Sequence, residues 1–165
     1  YSSAASDVYK RQVLDPGLIS RISTAIGEQS TVLSMDILRV EPSEPTPSGY
    51  EIVIDGGRTR TGRDALEWAR EGVDLGAGEL VVNSIDADGT REGYEVRLTR
   101  AIAEAVRVPV IDYWGEGRPE HLYEVLTEGK ADAALVASMV HYAEYTVSEL
   151  KQYLTERGLR IRMNH

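Results

Sequence analysis

Four short apolar runs each end in residues that can do chemistry. "VLSMD" ends in Asp36, "LVVNSIDAD" carries Asn83, Ser84, Asp86 and Asp88, "PVID" ends in Asp112, and "LVAS" ends in Ser138. Carboxylates can move protons, and small polar residues with backbone N–H groups can hold a phosphate. Such groups act together only where a fold brings the strand ends to one edge, as parallel α/β folds do. Each could instead cap the helix that follows it. The stretch "VPVIDYWGEG", Val108 to Gly117, has the form of a strand running into a glycine turn before a helix. That is a common place to hold a phosphate, and equally a tight connection with aromatic packing.

The elements that must position these residues alternate along the chain. "LDPGLISRISTAIG" places Leu18, Ile19, Ile22 and Ile26 at helical spacing, with Asp15 and Pro16 as a cap and first-turn pair. "TVLSMDILRV" is strand-like, "EPSEPTPSG" is a Pro/Ser loop, and "YEIVIDGGRTRTG" reads as a β-hairpin turning at Asp55-Gly56-Gly57. Helices are expected over Arg63–Leu75, Glu95–Val106, Pro119–Glu128 and Val147–Arg157, with strands at "ELVVNSID", "VPVID" and "ADAALVAS" between them. Four βα units with short connections predict an α/β fold with a parallel sheet and right-handed crossovers. The runs are apolar almost throughout, as strands covered on both faces are.

Bulk properties exclude several classes. The 165 residues carry 27% charged and 42% hydrophobic residues, enough for one ordinary globular domain. A net charge of −9 argues against a nucleic-acid partner or an anionic membrane surface, so an anionic substrate needs local backbone donors. There is no cysteine, and the three histidines, His121, His141 and His165, lack metal-site spacing, so no metal or other cofactor is expected. No apolar run has the length of a membrane span, and a cytoplasmic location is expected. The first twelve residues, "YSSAASDVYKRQ", show no period and look like translated adaptor sequence, so they are expected to be a non-native or disordered tail before a domain over 13–165.

Two stretches carry a resemblance. "GAGELVVNSIDADGTREGYEVRLTRAIAEAVRVPVI" and "EHLYEVLTEGKADAALVASMVHYAEYTVSELKQYL" closely resemble the cyclase subunit of imidazole glycerol phosphate synthase, the HisF type, and the match runs from Val13 to the C-terminus. The resemblance implies a (β/α)8 TIM barrel, typically about 250 residues, of which this chain is the C-terminal half, and the β-hairpin read from the residues is then an insertion in it. It implies a lyase-type cyclase of histidine biosynthesis. That enzyme uses ammonia from a partner glutaminase subunit and a phosphorylated aminoimidazole nucleotide to form imidazole glycerol phosphate and an aminoimidazole carboxamide ribotide.

Carried onto this sequence, the resemblance makes Asp36 the catalytic carboxylate of the family's fifth strand, half of a pair whose other member lies on the first strand. Asn83 falls where a neutral polar residue contacts substrate. Asp88 and Gly89 fall near the substrate phosphate, and Ala137 and Ser138 match the second phosphate loop. Glu79 matches a charged gate on the ammonia path. Read from residues alone, Asp36 also fits a helix cap or ion-pair partner, "DADGT" a simple turn, Ala137-Ser138 a small-residue turn, and Glu79 a solvated strand start.

The departure from the family lies in the stretch after Val108. Where the family reads "ASGGAG", this chain has "DYWGEG": Tyr113 replaces a serine and Trp114 a glycine, while Gly115 and Gly117 remain. Bulk at Trp114 and negative charge at Asp112 and Glu116 are expected to oppose phosphate at this loop, where Gly115 is the candidate phosphate-binding residue. Four strands cannot close a barrel, so the chain alone is expected to be inactive and to homo-oligomerise. Two other readings remain open: another phosphate-binding (β/α)8 enzyme, either a related isomerase or a surface-sugar amidating paralogue, and a non-catalytic half-barrel module.

Overall fold

Strand after strand, alternate residues of the apolar runs bury against helices, and this sets which side chains face where. A computed structural model describes residues 11–85, 95–114, 118–136 and 145–163. Its elements in chain order are α1 (Gly17–Ile26), β1 (Val32–Arg39), β2 (Tyr50–Ile54), β3 (Thr59–Asp64), α2 (Ala65–Asp74), β4 (Glu79–Ser84), α3 (Val96–Ala105), β5 (Val110–Trp114), α4 (Pro119–Thr127), β6 (Ala133–Val136) and α5 (Val147–Glu156). The six strands form a sheet in the order β3-β2-β1-β4-β5-β6. Strands β1, β4, β5 and β6 are parallel, whereas β2 and β3 add on antiparallel beyond β1. The parallel strands alternate with helices, as an α/β reading predicts, and between β1 and α2 the chain runs through the antiparallel pair β2–β3.

The hairpin turns where the glycines allow it. Asp55, Gly56 and Gly57 all take positive φ (56°, 66° and 85°), the left-handed backbone that glycine tolerates and Asp tolerates better than most. Helix α2 starts at Asp64, whose Oδ1 accepts from the backbone N–H of Leu66 at 2.9 Å and Glu67 at 3.2 Å. Its Oδ2 accepts from Ser48 N–H at 2.8 Å, which ties the Pro/Ser loop to the same carboxylate. At α1 the expected cap does not form. The helix begins after Pro16 with no side-chain cap, because the Asp15 carboxylate pairs with Arg21 at 2.5 Å instead.

The helices gather on one face of the sheet. Ile19 of α1, Ala65, Trp68 and Ala69 of α2, and Leu98 and Ile102 of α3 close over Leu33, Met35, Ile37, Ile52, Leu80, Val82 and Val110. A second cluster joins Leu122 and Val125 of α4 and Leu150 and Leu154 of α5 to Ala134 and Val136 of β6. Packing is close enough that a Cβ added at Gly72 would lie 2.3 Å from Leu33 Cδ2, so a larger residue there would require the tip of the Leu33 side chain to shift. The opposite face carries the alternate residues, Ser34, Asp36, Glu79, Val81, Asn83, Ile111, Tyr113, Ala133 and Leu135, none of them buried. Among the described residues no helix is long and apolar enough to cross a membrane.

Candidate functional site

Register across the sheet builds one row on the face away from the described helices. Asp36 pairs with Val53 on one side and Asn83 on the other, Asn83 pairs with Tyr113, and Tyr113 pairs with Leu135. Paired positions in a ladder share a face, so these five residues lie side by side near the C-terminal ends of the parallel strands, with Val53 buried at the hairpin end of the row and the other four half-buried or exposed. At the centre, Asn83 Nδ2 donates to Asp36 Oδ1 at 2.8 Å. Both side chains are half-buried, so they are reachable from outside and yet shielded enough for a hydrogen bond to hold. This is the one pair of expected site residues that the described structure brings into contact.

Glu79 lies on the same face of β4 as Asn83, at the strand's opposite end. Four residues of strand separate them, roughly 13 Å at the usual rise. It is half-buried and beside Val32, with Val81 between it and Asn83. The position suits a role at the N-terminal mouth and keeps Glu79 out of the chemistry around Asp36.

The other strand-end polar groups do not all converge, and alternation is the reason. Ser84 pairs with the buried Ile37 and so faces the helices. Asp112 shares its parity with Val110 and points under α3, 3% exposed, where it shares a short hydrogen bond with Thr99 Oγ1. Burial pushes the Asp112 carboxyl up to about 8, against the Thr99 hydrogen bond and helped by the Glu95 charge. Protonated, it can donate to the Thr99 oxygen, leaving that hydroxyl's hydrogen for the Glu95 carbonyl at 3.2 Å. The expected negative charge of Asp112 on a phosphate route is therefore corrected: the group faces the core, where burial favours its neutral form. Of the replaced residues in this stretch, Tyr113 is the one whose described position lies in the row with Asp36.

Asp88, Gly89, Gly115, Ala137 and Ser138, together with Asp86, Glu116 and His141, lie outside the described residues. Among the described residues no group of three or more His, Asp or Glu side chains is placed to hold a metal ion.

Residue-by-residue reading of the sequence overlooked a polar chain at the end of the covered layer. Glu95, at the start of α3, lies 3.9 Å from Arg39 at the end of β1. Burial, with the adjacent Glu95 carboxylate, raises the Tyr50 phenol above its usual range. With Thr99 and Asp112 these residues link the hairpin, α3 and β5. One signal was available: Thr99 interrupts the apolar stripe of Leu98 and Ile102, and a fully buried threonine calls for a polar partner.

A parallel sheet with helices over one face and polar side chains at the C-terminal strand ends of the other defines an α/β protein of the kind that binds ligands at that edge. The chain belongs to the histidine biosynthesis protein family, whose family model matches residues 8–146. It is 59% identical over 150 residues to the imidazole glycerol phosphate synthase subunit HisF of Syntrophobacter fumaroxidans, covering 91% of this chain and 58% of that protein. It is 58% identical over 150 residues to the subunit of that name from Desulfatibacillum aliphaticivorans, with the same coverage of 91% and 58%. With that of Oleidesulfovibrio alaskensis it shares 54% over 151 residues, covering 92% and 58%. The chain thus spans a little under three fifths of the length of these curated relatives, 58% in each case.

Proposed function

We propose that this chain is the C-terminal half of a TIM-barrel cyclase of histidine biosynthesis, and that Asp36 is its proton-transfer carboxylate. The observation that carries the reading is the Asp36–Asn83 pair, at the C-terminal ends of adjacent parallel strands and on the face away from the described helices. Ring closure and elimination both require a proton to be taken up and returned by a group held still beside the reacting atoms. A half-buried carboxylate anchored through one oxygen meets that need. The substrate in this reading is a phosphorylated aminoimidazole nucleotide. Asn83, Asp88, Gly89, Gly115, Ala137 and Ser138 line its side of the site. Backbone N–H groups rather than side-chain cations suit a phosphate held by a chain of net charge −9. Ammonia comes from a glutaminase partner at the opposite end, where Glu79 belongs to the gate. The location proposed is cytoplasmic.

Turnover of the aminoimidazole nucleotide with ammonium salts tests this in a full-length barrel carrying the chain. Asp36→Asn is expected to reduce turnover by about 10²- to 10⁴-fold, the usual worth of a positioned acid or base. Normal turnover in Asp36→Asn rejects the role. The chain alone is expected to be inactive and associated in solution, because Leu135 is exposed and β6 ends the sheet among the described residues. A compact monomer on size-exclusion chromatography rejects that part. Tyr113 favours one second reading, a related phosphate-binding barrel acting on a different substrate, since a phenol stands in the Asp36 row where the family has a serine. A turnover screen with other sugar phosphates separates the two.

A further inference from the structure

We infer that Asn83 is a positioning residue for Asp36. Its amide fixes the carboxylate through one oxygen and leaves the second to exchange the proton. The inference rests on the reading of Asp36 as the proton-transfer group and assigns Asn83 a role acting through that carboxylate.

Three observations carry it. The amide donates from Nδ2 to Asp36 Oδ1 at 2.8 Å, so one of its two N–H groups is given to Asp36. The ladder pins both backbones, with Met35, Asp36 and Ile37 paired to Val82, Asn83 and Ser84, so the contact does not depend on a mobile chain. Among the described residues, Asp36 Oδ2 accepts no hydrogen bond, while Oδ1 is taken. A carboxylate on a half-buried strand would otherwise turn about its χ2, a broad and soft torsion, and spread its oxygens over many directions. Held by one amide, it keeps a defined free oxygen. Asparagine suits the place: it supplies a neutral donor of the right reach, whereas aspartate there would set two negative groups against each other.

The two possible roles of Asn83 leave different kinetic signatures. A residue that only touches substrate raises KM when removed and leaves kcat. A residue that orients the proton-transfer group lowers kcat and leaves KM, because a small misplacement of a reacting group costs on the order of 100-fold. The experiment is steady-state turnover with ammonium salts in the full-length barrel carrying this chain, for Asn83→Leu, Asn83→Thr, Asp36→Asn and the double variant Asp36→Asn/Asn83→Leu. Expected are a kcat loss of about 100-fold in Asn83→Leu at near-constant KM and recovery of most of it in Asn83→Thr, which restores a donor. The double variant is expected to be no slower than Asp36→Asn alone, because the two residues act as a unit. Should Asn83→Leu not fold, Asn83→Ala replaces it in both comparisons. A raised KM with unchanged kcat overturns the inference, as do losses that multiply in the double variant. If Asp36→Asn loses activity while Asn83→Leu does not, the inference fails and the function stands. If Asp36→Asn keeps full activity, the function fails and the inference with it.

Discussion

Asp36 and Asp112 end equivalent apolar runs on parallel strands, yet they live in opposite environments. Asp36 stands on the open face, half-buried, with an amide donating to it. Asp112 lies under α3, with a threonine hydroxyl beside it and burial driving it toward the neutral acid. Composition and position along the strand are alike in the two cases. What differs is parity. Asp36 alternates with the core residues Met35 and Ile37, whereas Asp112 follows Val110 by two and so inherits its direction. One step along a strand separates a group available for proton transfer from one that serves packing.

The contrast between the faces breaks most strongly in the core. Leu80→Ala, beneath α2 and α3, is expected to destabilise the fold by about 2–5 kcal/mol in denaturant melts. Leu135→Ala on the open face is expected to change stability by no more than about 0.5 kcal/mol. A large effect at Leu135 would mean that its face is covered.

A smaller effect sharpens the aspartate pair itself. Because Asp112 is pushed up to about 8 in the folded chain and returns to ordinary carboxylate behaviour when unfolded, the unfolded state binds fewer protons between those values. Its contribution to stability is complete at acid pH, falls as pH rises through that window, and levels off above it. Melts between pH 5 and 8 are expected to lose stability with a slope approaching 1.4 kcal/mol per pH unit from this group, on the order set by proton linkage. Asp112→Asn is expected to remove that component of the slope. An unchanged pH profile in the variant would place the titration elsewhere.

The smallest change belongs to Asp36. Asp36→Asn is expected to alter stability by less than about 0.5 kcal/mol, even where turnover is lost. A large stability loss there would turn the proposed proton-transfer group into a structural one.

Much of the fold could be read from the chain, because its signals are local. The hairpin at Asp55-Gly56-Gly57 and the helices behind β4, β5 and β6 lie within two residues of expectation. Local signals fail where a side chain has competing partners, as when Asp15 leaves its cap for Arg21. The site was harder to read. Asp36 stood out as an acid at a strand end, but its amide partner is 47 residues away, and strand register between distant segments leaves no mark in either segment. The direction of Asp112 was hidden because "VPVI" is apolar at both parities, so alternation gives no face to read.

Asp64 gathers three backbone amides, from Ser48, Leu66 and Glu67, into one buried carboxylate. In folding terms this makes the end of the Pro/Ser loop, the return of the hairpin and the first turn of α2 a single cooperative step. None of the three can open without stranding a buried charge, so their amides are expected to exchange with solvent together, as one unit of the chain.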